Sequence, residues 1–197
     1  MAKKRQFDEV EVLGIMAKHF WQHGYASTKV DQLSTVTGLT KTSIYNAFGN
    51  KEAVFKCIVD FYVEHHMSVV LKKLDTDKSI SENLQYLFDS EFLNPENELL
   101  TYGCLMTNSI VELNSNEPYL YDYVVGKFEQ GRIAVLAFFT QYEKTERLVD
   151  GIDAEHLTDF FLTFRQGLKV QSRGHRPHES LARSIRAFML VFSSFEK

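Results

Sequence analysis

The stretch TGLTKTSIYNAFGNKE, residues 37–52, decides the fold of the N-terminal part of this chain. Apolar residues recur at helical spacing on both sides of its glycine turn: Val30, Leu33, Val36, Ile44 and Phe48. Gly38 supplies the backbone freedom that a tight turn needs, and Thr40 is a good N-cap for the helix that follows. Two short helices joined by so short a turn predict a helix-turn-helix.

The second of these helices has one apolar and one polar face. If Ile44 and Phe48 point into a small core, the residues left facing outward are Lys41, Thr42, Tyr45 and Asn46, with Ser43 at the edge. Short polar side chains, one cation and an amide suit the major groove of DNA, although an ordinary solvated helical hairpin would also have such a face. Thr28 and Lys51 lie near helix N-termini, where phosphates bind favourably.

Outward from this stretch, helical periodicity continues to the C-terminus. A long fourth helix is predicted to open at residues 50–52 and to run to Leu74, and Asn94-Pro95 closes a later one. Sustained two-residue alternation is absent from the sequence. The chain is therefore predicted to be all-α with about nine helices.

Composition excludes several classes of protein. The 197 residues are 44% hydrophobic and 24% charged, which is ordinary for a globular protein and unlike a disordered, collagen-like or mucin-like chain. The longest apolar run, Ile133–Phe139, is far shorter than the about 20 residues that span a bilayer. The basic start lacks the apolar segment of a secretory signal, and two cysteines are too few for a disulfide framework. We expect a cytoplasmic protein with reduced thiols.

Charge is unevenly distributed along the chain. The formal net charge is −4, but residues 1–56 hold eight Lys or Arg and five Asp or Glu, whereas residues 57–197 hold 14 and 21. A basic N-terminal part joined to an acidic larger part indicates two parts with different functions, although chance alone also produces charge differences of this size.

Two runs of sequence carry a family resemblance. Residues 20–33 read FWQHGYASTKVDQL and residues 37–52 complete the motif: Phe, Gly-Tyr, Thr, then Gly-Leu-Thr-Lys, Ile-Tyr, Phe and Lys-Glu in order and spacing. About a quarter of the chain thus resembles the DNA-binding domain of the TetR family of bacterial transcription regulators. Thr37 and Thr42 depart from the Ala and Gly that are frequent in the family, so no operator sequence is inferred.

The resemblance implies a homodimeric repressor on a palindromic operator in double-stranded DNA. It implies a helix-turn-helix (residues 29–48) within a DNA-binding domain (residues 1–52), followed by an effector-binding and dimerisation domain (residues 53–197). The DNA-contacting residues would be Ser27, Thr28, Lys29, Thr40, Lys41, Thr42, Ser43, Tyr45, Asn46 and Lys51. The basic arm Lys3-Lys4-Arg5 either adds phosphate or minor-groove contacts or is a solvated tail.

The last two helices are apolar nearly all round, which requires burial on two sides. The second side is either a partner subunit or a deep core of the same chain, and the resemblance implies a four-helix bundle between two copies. The predicted interface residues are Leu157, Phe161, Phe164, Leu168, Leu181, Ile185, Phe188 and Phe192.

The middle of the chain is rich in aromatic residues and Met, which form either plain core or a pocket for a small apolar or aromatic effector. The resemblance favours a pocket, with candidate residues Phe61, Phe88, Cys104, Asn108 and Phe128, and with Ser109, Glu112 and Arg132 as further polar candidates. Some relatives sense electrophiles or oxidants through a Cys near this position. Cys104 is therefore either a reactive thiol near a helix N-terminus or an inert buried one.

Signals for an enzyme are missing from the sequence. A phosphate-binding glycine loop, a nucleophile elbow and a Cys-x-x-Cys pair are all absent, and the paired histidines have no evident third metal ligand. We expect neither cofactor nor metal. The rival hypotheses are a helical-bundle enzyme with Cys104 as nucleophile and an adaptor that has lost DNA binding.

Overall fold

The computed structural model describes residues 7–94, 97–113 and 116–197. Within these ranges every regular element is helical, and Leu148 and Glu196 form an isolated bridge rather than a strand. The all-α prediction is confirmed. The α-helices are α1 Glu9–His23, α2 Val30–Thr37, α3 Lys41–Phe48, α4 Lys51–Tyr62, α5 Ser68–Leu71, α6 Ile80–Phe88, α7 Leu105–Leu113, α8 Pro118–Lys144, α9 Ala154–Arg173 and α10 His178–Phe192.

Several helix ends differ from the sequence prediction. The long fourth helix is divided: α4 passes into a π-helix, Val63–Met67, before the four-residue α5. A second π-helix, Asp89–Leu93, follows α6, and the short 3₁₀ segments are Glu98–Tyr102 and Ser193–Phe195. Hydrophobic spacing of three and four does not distinguish one wide π turn from the α-helical turns around it.

The chain divides into two compact units. The N-terminal unit comprises the described residues up to Met67 together with Leu105–Phe128, and the C-terminal unit comprises Ser68–Cys104 and Glu129–Lys197. The helix-turn-helix lies wholly in the N-terminal unit. The functional division at residues 52 and 53 stays a prediction.

The N-terminal unit is held together by α1 and α4. The ring of Phe20 meets that of Phe55 at 5.2 Å, and Trp21 packs its edge on Tyr62 at 4.9 Å. Further large side chains that are fully buried here include Met16, Leu33, Ile44 and Ile58. Each buried side chain of this size stabilises the fold by about 2 kcal/mol.

Aromatic residues fill the C-terminal unit. Phe88 of α6 is fully buried and its ring lies 5.6–6.2 Å from the rings of Phe92, Phe161, Phe164 and Phe188. One charged cluster interrupts this core: Glu91, in the second π-helix, is held by Arg165 and Lys169 of α9. No helix in the described part of the chain combines the length and apolar character needed to cross a bilayer.

Candidate nucleic-acid interface

Helices α2 and α3 form the helix-turn-helix that the sequence predicts. Gly38, at the C-terminal end of α2, has a φ of +70°, the left-handed region that glycine enters without steric cost. Thr40 caps α3 by accepting a hydrogen bond from the Ser43 N–H at 3.1 Å. Leu33 of α2 and Ile44 and Phe48 of α3 are buried against the unit. The turn and its core residues thus fix the angle at which α3 is presented.

The outer face of α3 is exposed as expected. Lys41, Thr42 and Asn46 are exposed, as is Tyr45, whose side chain is 46% accessible. Ser43 is half-buried and its hydroxyl lies 2.9 Å from the Thr40 hydroxyl, so it supports the cap as well as bordering the face. This surface offers one cation, one amide and several hydroxyls, the groups that bind phosphates and base edges in a major groove.

A carboxylate on α2 restrains the cation of this face. The Lys41 ammonium forms an ion pair with Asp31, and both side chains are more than half exposed. An exposed pair of this kind contributes little to stability, because water and salt screen it. Its effect is to offset part of the positive charge that the face would otherwise present to DNA.

The loop before α2 places its three predicted DNA contacts differently. Ser27 and Lys29 are exposed. Thr28 is 0% exposed, and its hydroxyl donates to the Gly24 carbonyl at 2.7 Å. The expectation that Thr28 grips the DNA backbone is therefore corrected: its side chain closes the turn after α1 and does not reach the surface.

Lys51, the first residue of α4, is half-buried. Its ammonium lies over the ring of Tyr25, 4.2 Å from the centroid. Burial lowers the pKa of Lys51 below its ordinary value, and the carboxylates of Glu112 and Glu117 partly counteract that effect. A cation–π contact of this kind orders the ammonium while leaving its other side available.

The candidate effector residues do not gather in one unit. Phe88 and Cys104 belong to the C-terminal unit, where they are 0% and 3% exposed. Phe61, Asn108 and Phe128 belong to the N-terminal unit and are half-buried. The effector pocket stays a prediction.

Three further polar candidates for the pocket have other partners. The Ser109 hydroxyl donates to the Leu105 carbonyl, and Arg132 pairs with carboxylates on its own helix and on α9. Glu112 binds backbone N–H groups of the loop after α1. Local sequence patterns carry no signal for this contact, because Glu112 is 87 and 86 residues away from Tyr25 and Ala26 along the chain.

The predicted dimer residues on α9 and α10 point into their own chain. Leu157, Phe161, Leu168, Leu181, Ile185, Phe188 and Phe192 are at most 4% exposed, and Phe164 stacks on Phe188 at 4.0 Å. Seven of these side chains are therefore covered by their own chain, Phe164 is half-buried, and the dimer interface stays a prediction. The exposed apolar residues of the two helices are Phe160, Val170, Leu190 and Val191.

Metal-binding geometry is not evident in the described ranges. No group of three or more His, Cys, Asp or Glu side chains in them is placed to hold an ion. The rings of His19 and His23 lie 4.5 Å apart and are tilted by 46°, and burial lowers the pKa of His19, with His23 adding to that effect.

A tight glycine turn, a capped second helix and an exposed polar face on that helix define a helix-turn-helix DNA-binding protein. Comparison with known proteins agrees. Residues 17–58 match the family model described as bacterial regulatory proteins, tetR family. Residues 17–58 therefore form a DNA-binding domain of the TetR type, and the rest of the chain is similar to TetR-family regulators.

Curated relatives cover most of the chain. The HTH-type transcriptional repressor ComR of Escherichia coli K12 is 24% identical over 172 residues, which cover 87% of this chain and 82% of ComR. The HTH-type transcriptional repressor BdcR of the same organism is 21% identical over 174 residues, covering 88% and 83% of the two chains.

Solved structures share the fold over nearly the whole length. The regulatory protein TetR from Rhodobacter sphaeroides superposes with a TM-score of 0.79 at 18% identity, covering 93% of this chain and 96% of that one. The TetR-family regulator CifR, as a cysteine mutant complexed with 26-bp operator DNA, gives 0.74 at 23% identity and covers 94% and 99%. At these identities the likeness describes the fold alone.

Proposed function

We propose that this regulator is a repressor that binds a palindromic operator as a homodimer and is released by a small effector. The observation that carries the proposal is the exposed face of α3, held by the Gly38 turn and the Thr40 cap. The relatives ComR and BdcR are named as repressors, and CifR is described in complex with operator DNA, which supports the same function here.

In this proposal α3 enters the major groove. Asn46 and Lys41 read base edges, Tyr45 binds phosphate, and Thr40, Thr42 and Ser43 line the contact. Ser27 and Lys29 meet the backbone from the loop before α2, and Lys51 meets it from the start of α4. Thr28 is left out of this set because its hydroxyl is buried.

Dimerisation is supported by the apolar surface left uncovered on α9 and α10. Phe160 is 39% exposed, Val170 59%, Leu190 76% and Val191 49%. Exposed apolar groups on neighbouring helices favour association with a second copy, and two copies supply the two recognition helices that a palindrome requires.

Release follows from a shift between two geometries of the dimer. An effector of apolar or aromatic character lowers operator affinity only if it binds the DNA-free geometry more tightly than the DNA-bound one. In this proposal the effector binds within residues 53–197, and the protein acts in the cytoplasm.

Selection from random-sequence DNA tests the proposal. The purified chain should enrich a palindrome whose half-sites lie about one helical turn apart. The logarithm of the binding constant should fall linearly with the logarithm of the salt concentration. Asn46→Asp, which adds a negative charge to the α3 face, should abolish enrichment. Gln130→Glu adds the same charge at an exposed position of α8 and should leave it unchanged. Failure of the wild-type chain to enrich any sequence would refute the proposal.

A further inference from the structure

A carboxylate from α7 holds the loop that follows α1. One oxygen of Glu112 accepts the Tyr25 N–H at 2.9 Å, and the other accepts the Ala26 N–H at 2.7 Å. Both oxygens are therefore engaged by consecutive backbone donors. Hydrogen bonds from N–H groups to an ionised carboxylate are among the stronger ones in proteins, so this contact fixes the loop backbone.

The chain is built for this close approach at Gly24. Its φ is +81° and its ψ is 173°, a region that is nearly exclusive to glycine. A Cβ on Gly24 would lie 2.6 Å from one oxygen of Glu112, so a larger residue would displace the carboxylate. The absence of a side chain at Gly24 makes room for Glu112.

The loop carries the ring that supports Lys51. The Tyr25 ring packs on Phe20 and Phe55, with centroids 6.3 and 5.0 Å away, and its face receives the Lys51 ammonium at 4.2 Å. Glu112 is also near enough to act electrostatically on Lys51. A chain of contacts therefore runs from α7, through the loop backbone and an aromatic ring, to the first residue of α4.

We propose that Glu112 is a positioning residue for DNA binding. It fixes the backbone that carries Tyr25, and the Tyr25 ring in turn fixes the Lys51 ammonium where it meets DNA phosphate. The inference rests on the proposed function, since it needs Lys51 to contact DNA. It adds a regulatory consequence: any rearrangement of α7 that withdraws Glu112 weakens DNA binding from a position outside the helix-turn-helix.

The test compares Glu112 with a second carboxylate that acts on Lys51. Glu117 also acts electrostatically on Lys51, but it is exposed, whereas Glu112 accepts the Tyr25 and Ala26 N–H groups. If only charge matters, Glu112→Gln and Glu117→Gln should both tighten DNA binding, because each removes a negative charge near the interface. Positioning predicts the opposite sign for Glu112→Gln, about tenfold weaker binding, and binding within about twofold of wild type for Glu117→Gln.

Fluorescence anisotropy on the selected operator measures these affinities, with circular dichroism to verify folding. Glu112→Asp keeps the charge but shortens the side chain, so it should also weaken binding, and it replaces Glu112→Gln if that variant does not fold. Lys51→Ala combined with Glu112→Gln should bind no more weakly than Lys51→Ala alone. The inference would be overturned if the double variant showed the sum of the affinity losses of the two single variants. It would also be overturned if Glu112→Gln bound the operator as tightly as wild type or more tightly. Absence of operator binding by the wild-type chain would overturn the proposed function and the inference with it.

Discussion

Replacement of Glu91 by Gln removes the one negative charge of the buried cluster in the C-terminal unit. The Glu91 carboxylate receives two hydrogen bonds from Arg165, at 2.6 and 2.8 Å, and the Lys169 ammonium at 2.7 Å. The side chains of the three residues are 6–11% exposed. Glu91→Gln keeps the shape of the side chain but leaves two cations in a low-dielectric environment.

The size of the expected loss in folding free energy follows from the pKa of Glu91. Burial alone would raise this pKa, but Arg165 and Lys169 outweigh burial and lower it from 4.5 to about 2. Each unit is worth about 1.4 kcal/mol, so the ionised state contributes about 3 kcal/mol to folding. Loss of one partner of a buried ion pair costs a similar 3–5 kcal/mol. For a chain of this size we expect the melting temperature to fall by about 10 °C.

The contribution of Glu91 to folding stability depends on pH. Because the folded pKa lies below the unfolded one, the contribution of Glu91 is complete above pH 4.5 and is lost as the pH falls toward 2. The stability difference between wild type and Glu91→Gln should therefore be largest near neutral pH and should shrink through this acid range.

Thermal unfolding followed by circular dichroism, at equal protein concentration and at several pH values, measures this difference. Glu179→Gln is the matched control, because Glu179 pairs with Arg183 at 2.8 Å but its side chain is 80% exposed. It should shift the free energy of unfolding by at most about 0.5 kcal/mol. Equal losses of stability in Glu91→Gln and Glu179→Gln would refute the reasoning. A stability difference between wild type and Glu91→Gln that does not change with pH would also refute it.

Three further expectations concern DNA, association and the thiols. Tyr45→Phe should weaken binding to operator and non-operator DNA alike by about threefold, whereas Asn46→Ala should weaken binding to the operator alone, by about tenfold or more. Competition anisotropy with the two DNAs distinguishes these effects. Equal losses of affinity for both DNAs in Asn46→Ala would contradict base reading by Asn46. Leu190→Glu places a charge on a side chain that is 76% exposed, so it should leave the fold intact and produce monomers in analytical ultracentrifugation; an unchanged dimer would place the interface elsewhere. Cys57 is half-buried and Cys104 is 3% exposed, so Cys57 should react first with a thiol reagent in the folded protein; mass spectrometry identifies the modified residue, and initial labelling of Cys104 would support a thiol sensor.

The helix-turn-helix could be predicted from the sequence because its signals are local. Gly38, Thr40 and the spacing of Ile44 and Phe48 act within one or two turns of chain, and the structure uses each of them as expected. The exposed face of α3 follows from that spacing without knowledge of the rest of the molecule.

Other features depend on contacts between distant parts of the chain. Helices α9 and α10 are apolar on two faces, and their periodicity does not say which face their own chain covers; Phe161 is buried and Phe160 is exposed, though they are neighbours. Thr28 is predicted from its place near a helix N-terminus to contact DNA, but the fold turns its hydroxyl toward the Gly24 carbonyl. Glu112 reaches a loop 86 residues earlier, a pairing that spacing alone does not indicate.

The charged cluster in the C-terminal unit also specifies the register of its helices. The core there is rich in phenylalanine and leucine, and one such residue can replace another in a helix that slips by a turn. Arg165 and Lys169 lie four residues apart on α9 and share a single carboxylate. A slip of one turn would set Glu91 against a phenylalanine or leave a cation unmatched, and both are costly in a buried core. Glu91 thus supplies, in one residue, alignment information that the apolar side chains around it lack.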